Sequence, residues 1–252
     1  MFNETDWRPA PTTLTLSDSE VHLFRVNLEQ PRWAVSKMSA SLSAEEEERA
    51  GRFHFQRDRR RFTISRGVLR AVIGRYLEKS PESIRFSYGE QGKPELAPAM
   101  GATPMQFNVA HSRELALIAV TAGAAVGVDI ERIRQLDDAG AIAERYFSAR
   151  ESAIFRRLPE DEQEAAFFNC WTRKEAFIKA IGEGLSFPLA DFDVAFMPGE
   201  PARLLSIEND AAEARQWSLQ ALIPWPGYTG AVAARSRRCR LQQWYWPEDQ
   251  TP

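Results

Sequence analysis

Cysteine is scarce: Cys170 and Cys239 are the only two in 252 residues, they lie far apart, and neither stands in a Cys-x-x-Cys or Cys/His spacing. That excludes a disulfide framework and a thiolate metal centre, and it predicts a reducing compartment such as the cytoplasm. Long apolar runs are missing too. The longest, Leu115 to Ile130, is interrupted by Thr121, Gly123 and Gly127 and is too short to span a bilayer. Met1 to Pro11 carries acids and prolines where an export signal would have a basic start and an apolar run, so nothing there predicts secretion. A formal net charge of -3 excludes the surface-wide basic footprint of a nucleic-acid binder. The charge is uneven, however. Acids gather at Glu45 to Glu48 and Glu160 to Glu164, whereas arginines crowd Arg49 to Arg75, and a local basic cluster suits an anionic small ligand.

What is present is apolar material, 44% of residues, enough to bury one large core or two small ones. Val21 to Leu28 alternates as a first strand, and Pro31 to Ser41 reads as a loop. Ser43 with Glu46 forms a capping box, in which hydroxyl and carboxylate satisfy each other's free amides. A second helix takes Asp58 as N-cap and shows Phe62, Ile64, Val68, Leu69, Val72, Ile73, Tyr76 and Leu77 at the period of a buried face. Its arginines Arg59, Arg60, Arg61, Arg66, Arg70 and Arg75 then fall mainly on the flanks and outer face, and Pro81 ends it. Ile84 to Tyr88 is a strand leading through the turn Gly89-Glu90-Gln91-Gly92 to Lys93-Pro94. Met105 to Ala110, Leu115 to Val120 and Val126 to Ile130 predict an antiparallel meander.

Ser148 with Glu151 makes a second capping box. Glu164 to Ile181 is the strongest helix pattern, stopped by Gly182 and Gly184. Phe192 to Phe196, Trp217 to Leu222 and Tyr228 to Ala234 supply further strands. The chain thus repeats one theme, helix plus antiparallel strands, without a residue-level repeat. The fold class is α+β in two similar halves, residues 1–125 and 126–252, each with a small antiparallel sheet and a packed helix.

Four strings carry chemistry. In Gly127-Val128-Asp129-Ile130-Glu131 strand alternation puts both carboxylates on one face and Ile130 in the core. Paired carboxylates repel unless a cation lies between them, and oxygen-only ligands favour Mg²⁺ shared with substrate phosphates. A solvated strand end bearing two acids is the plainer alternative. Trp171, Glu175 and Lys179 form one helical stripe. Either the tryptophan packs in the core beside an ordinary Glu–Lys pair worth about 0.2–0.5 kcal/mol, or the pair faces a cleft. His111, at the exit of the Phe107 to Ser112 strand, is a turn residue held by backbone or a ligand contact. Lys93 is solvated, or its glycine turn lets ammonium and backbone meet a phosphate.

In identity and order these strings resemble the 4'-phosphopantetheinyl transferases of the surfactin-synthetase-activating type. The match includes Arg52-Phe53 through Arg70, Gly92-Lys93-Pro94, Phe107 to Ser112, Gly127 to Glu131, Trp171 to Lys179, and Gly182 to Ser186 followed by Pro188-Leu189. It covers about Leu42 to Ala195.

The resemblance implies an activity: transfer of the phosphopantetheine arm of coenzyme A onto a serine of an apo acyl or peptidyl carrier protein, releasing adenosine 3',5'-bisphosphate. It also implies that coenzyme A lies in the cleft between the halves, that residues 1–125 bind it, and that residues 126–252 hold the metal site and catalytic helix. Asp129, Glu131 and Glu175 are then Mg²⁺ ligands, with Glu175 also the base for the carrier serine. Lys179 contacts the pyrophosphate, and Lys93, His111 and Arg49 meet coenzyme A, His111 and Arg49 at its 3'-phosphate. Two halves that build their own cleft imply a monomer, without nucleic-acid or membrane partner.

Three positions stand apart. Ala110 replaces a serine common in the family, Glu46 lies where some relatives have lysine, and the capping box accounts for Glu151 without a place in the site. A non-catalytic module binding carriers or coenzyme A is the alternative. Retention of Asp129, Glu131, Glu175 and Lys179 argues against it.

Overall fold

The computed structural model describes residues 7–89, 92–101 and 103–247. Glu90 and Gln91 of the expected glycine turn, and the first six residues of the Met1 to Pro11 segment, lie outside the described residues. The first part of the chain forms β1 (Arg8–Pro9), β2 (Glu20–Asn27), α1 (Arg32–Ser39), α2 (Ala44–Gly51), α3 (Gln56–Leu77), β3 (Phe86–Tyr88), β4 (Pro94–Leu96), β5 (Gln106–Ser112) and β6 (Leu115–Thr121). Then follow β7 (Val126–Arg132), α4 (Ala139–Tyr146), α5 (Ala149–Phe155), α6 (Glu160–Ile181), β8 (Phe192–Ala195), β9 (Arg203–Ile207), α7 (Ala211–Ala214), β10 (Ser218–Leu222), β11 (Tyr228–Ala234) and β12 (Arg240–Tyr245). Among the described residues no helix is long and apolar enough to cross a membrane.

The architecture is α+β, two sheet-and-helix units packed through their sheets. One sheet has the order β1-β12-β2-β6-β5 and the other β10-β11-β7. Strand alternation builds the layers. Ala116, Ile118 and Val120 of β6 join the cluster containing Val68 and Val72 of α3, whereas Leu115, Leu117 and Ala119 join Val128 and Val232 between the sheets. Because β6 buries both faces, it reads as a continuous apolar run. On β7, Val126, Val128 and Ile130 fill the inter-sheet core, which leaves Gly127, Asp129 and Glu131 on the face toward α6. Ala176, Phe177 and Ala180 of α6 pack with Ala231 and Ala233 of β11 in the third cluster.

Several expectations change. Pro31 to Ser41 is not a loop, because Arg32–Ser39 form α1 with Pro31 at the N-cap, and the helix buries Ala34 and Met38, one turn apart. Asp58 lies in the first turn of α3 rather than capping it, since the helix begins at Gln56 with Phe55 at the N-cap. The meander ends at β6, whose two edges are taken by β2 and β5, so β7 pairs with β11 instead. The first sheet is mixed, since β12 returns to lie parallel to β2.

Arg66 and Arg70 are not on the outer face of α3. Both are buried, as is Glu46, whose carboxylate accepts from Arg70 Nε at 2.6 Å and lies 3.5 Å from Arg66 Nε. A carboxylate buried against α3 requires that compensation. Both capping boxes form. Glu151 does more than cap: it meets Lys174 Nζ at 2.7 Å and accepts from the Val194 N–H at 2.8 Å, tying α5, α6 and β8 together. Removing one partner of such a fully buried pair costs about 3–5 kcal/mol.

On β2, His22 is buried, its Nδ1 2.6 Å from the Tyr76 hydroxyl and its ring edge-on to Trp244. Burial lowers its pKa from the usual 6.5, against the raising effect of Glu20. The unfolded chain therefore takes up a proton first as pH falls below about 6.5, and stability declines from there to the depressed native pKa. Denaturant titrations at pH 7.5 and 5.5 should show a smaller pH loss for His22→Gln than for the parent protein. An identical pH loss in both would show that His22 does not contribute to the acid sensitivity.

Candidate active site

The site begins with a close backbone contact. A Cβ on Gly127 would lie 2.1 Å from the Ala176 carbonyl oxygen, 2.3 Å from the Ala180 nitrogen and 2.8 Å from the Lys179 carbonyl carbon. Glycine thus lets β7 rest directly on the α6 backbone. Two residues on, the same strand face presents Asp129, which is 5% exposed. The Lys179 Nζ donates to Asp129 Oδ1 at 2.5 Å. The helix lysine thus answers a strand carboxylate, which the helical stripe alone did not reveal. Asp129 Oδ2 is buried without a hydrogen-bond partner.

The electrostatics follow from that crowding. Burial, then the neighbouring Glu131 and Glu175, push Asp129 up to about 7 against the opposing pull of Lys179. Burial likewise raises Glu175, with Lys179 opposing and Glu131 adding to the shift. Burial works against the Lys179 charge, but Asp129, Glu175 and Glu131 outweigh it and raise its pKa. The strand pair and the helix pair therefore share one electrostatic site. Among the described residues no three acidic, histidine or cysteine side chains are already gathered as a cation cage. The donor set nevertheless fits Mg²⁺: all its atoms are oxygens, and one buried carboxylate oxygen lacks a partner.

A cavity of about 360 Å³ opens beside Glu175 and Lys179 and is also lined by Lys93, Pro94, Asn108 and Gly182. Lys93 reaches in from the β3–β4 hairpin. Its Nζ donates to the Lys179 carbonyl at 2.9 Å and the Val126 carbonyl at 3.3 Å, and burial lowers its pKa. Arg49 borders a separate cavity of about 550 Å³ with Arg52, Phe53 and Tyr88. The hairpin touches both cavities, through Tyr88 and Lys93. His111 is exposed on β5, next to Ser112.

Ala110 is buried in the inter-sheet core, so a hydroxyl there would face apolar neighbours. Glu46 is committed to Arg70 and Arg66, which leaves Arg49 as the exposed cation of α2. Two polar residues escaped the sequence reading. Ser112 donates to Glu131 Oε2 at 2.9 Å, and Asn108 Oδ1 accepts from the Val128 N–H at 3.0 Å. Their period-two placement on β5, facing β7, was the available signal.

Comparison with known proteins defines the class. The pattern described as 4'-phosphopantetheinyl transferase superfamily matches residues 125–233, and that described as 4'-phosphopantetheinyl transferase, N-terminal, matches residues 27–123. The chain belongs to the 4'-phosphopantetheinyl transferases. It is 38% identical over 240 residues to the 4'-phosphopantetheinyl transferase HetI of Nostoc sp., covering 95% of this chain and 98% of that protein. It is 35% identical over 194 residues to the 4'-phosphopantetheinyl transferase Sfp of Bacillus subtilis, covering 77% and 82%. A 33% identity over 182 residues, 72% of each chain, links it to a putative 4'-phosphopantetheinyl transferase of Synechocystis sp..

The Gly127 contact is directly testable. Gly127→Ala should cost at least the 1–3 kcal/mol typical of an overpacked core, because the atoms it meets are helix backbone. A displacement of Asp129 by about 1 Å should also lower turnover on the order of 10²-fold. Thermal melts and carrier-modification rates near those of the parent protein would refute the close-contact account.

Proposed function

We propose that this transferase moves the phosphopantetheine arm of coenzyme A onto a serine of an apo carrier protein and releases adenosine 3',5'-bisphosphate. The observation that carries this reading is the convergence of Asp129 with Lys179 beside Glu175, at the wall of a cavity that Lys93 also lines. Attack of a hydroxyl on a pyrophosphate phosphorus needs charge neutralisation, a proton acceptor and alignment. Those groups meet the need. In this reading Asp129, Glu131 and Glu175 hold Mg²⁺, which when bound supplies positive charge to the pyrophosphate oxygens.

Glu175 takes the proton of the carrier serine. Burial already biases its carboxylate toward proton uptake, the direction a general base needs. Lys179 turns its ammonium from Asp129 to the phosphate oxygens and offsets charge on the leaving side. Lys93 binds the same anion from the hairpin, exchanging its carbonyl contacts for phosphate. Arg49 and His111 meet the 3'-phosphate. Residues 1–125 thereby supply most of the coenzyme A contacts and residues 126–252 the chemistry, within a monomer working in the cytoplasm, where the two free thiols stay reduced.

Mass spectrometry of acyl and peptidyl carriers after incubation with coenzyme A and Mg²⁺ tests the reaction. The phosphopantetheine mass gain is expected. Its absence across carriers from fatty acid, polyketide and non-ribosomal peptide synthesis would favour a binding module instead. Glu175→Gln should reduce the chemical step by about 10²–10⁴-fold while largely sparing coenzyme A binding. Lys179→Ala should weaken both, since its charge meets anionic oxygens in ground and transition states. Near-normal turnover in both variants, with only small thermal shifts, would place the chemistry on another element.

A further inference from the structure

Ser112 closes β5, and its hydroxyl makes two bonds at once. It donates to Glu131 Oε2 at 2.9 Å and accepts from the Arg132 N–H at 3.1 Å. A hydroxyl carries a single proton, and a carboxylate oxygen can only accept it. With the Arg132 amide fixed by strand β7, the direction of that proton is set by main chain, not by solvent. Four residues earlier, Asn108 accepts from the Val128 N–H at 3.0 Å. Side chains of β5 therefore bridge to β7 at two points and hold the two sheets in register at the site. Only the Ser112 bridge also touches an acidic side chain.

Glu131 needs that contact more than Asp129 does. Asp129 is buried and gripped by Lys179, whereas Glu131 is half-buried and has one more rotatable bond. We propose that Ser112 is a positioning residue that orients the Glu131 carboxylate toward the divalent cation shared with Asp129 and Glu175. The inference rests on the metal assignment made above. One oxygen of Glu131 is held by the hydroxyl and the second is left for the cation, the arrangement by which outer hydrogen bonds tune metal affinity.

Binding of Mn²⁺ as probe, followed by electron paramagnetic resonance on the full chain without coenzyme A, separates orientation from mere sheet joining. Ser112→Ala should lose about 10–100-fold in Mn²⁺ affinity, the usual effect of removing such a partner. Ser112→Thr, which keeps the hydroxyl, should bind like the parent protein. Asn108→Ala breaks the other bridge and should lower the melting temperature without changing Mn²⁺ affinity. Should Ser112→Ala fail to fold, Ser112→Val against Ser112→Thr makes the same comparison with the hydroxyl as the sole difference.

Parent-like Mn²⁺ affinity in the variants lacking the hydroxyl overturns the role of Ser112 and leaves the metal assignment standing. An equal loss in Asn108→Ala overturns it as well, since the bridge and not the hydroxyl would then be responsible. Folded parent protein that takes up no Mn²⁺ overturns the metal assignment and the role of Ser112 with it.

Discussion

The direct contact of strand β7 with the backbone of helix α6 is the constraint on which the rest of the site depends. With no side chain at Gly127 to hold them apart, two elements of different origin bring their charges into one small volume. Asp129 and Glu131 arrive by strand period, and Glu175 and Lys179 arrive one helical turn apart. Asp129 is nearly sealed from solvent, so it feels its charged neighbours strongly. Three carboxylates against one ammonium leave two negative charges when all are ionised. A divalent cation would remove that imbalance, and the same crowding is what raises Asp129 to about 7.

The strings that carry the chemistry were legible because each lies within one element. Alternation in Val126 to Arg132 alone places Asp129 opposite Ile130, and the helical period alone aligns Glu175 with Lys179. Both capping boxes were legible for the same reason. What stayed hidden depends on partners distant in the chain. No local pattern says that Lys179 reaches a residue 50 positions earlier, that Lys93 ends on the Lys179 carbonyl, or that Ser112 touches Glu131. The buried Arg66 and Arg70 misled for a related reason: arginine on a helix reads as solvent-facing unless its carboxylate, here Glu46 on another helix, is known. Likewise β12 could not be assigned to the first sheet, because parallel pairing with β2 joins opposite ends of the chain.

Lys93 ties the β3–β4 hairpin to α6 and β7 and limits how the cavity can work. Its ammonium sits on the carbonyls of Lys179, in the last turn of α6, and Val126, at the start of β7. The last turn of a helix carries partial negative charge, so the lysine caps α6 as well as facing the cavity. An anion entering there competes with two carbonyls for the same three N–H groups. Some of the electrostatic gain of binding it is consequently offset by contacts given up. Arg49 carries no such commitment to the helix end and borders the other cavity, which Glu45, Glu48 and the hairpin residue Tyr88 also line. On the reading proposed above, a ligand with phosphate groups at two points along its length would engage Lys93 at one cavity and Arg49 at the other, and so would gain more than one with a single phosphate.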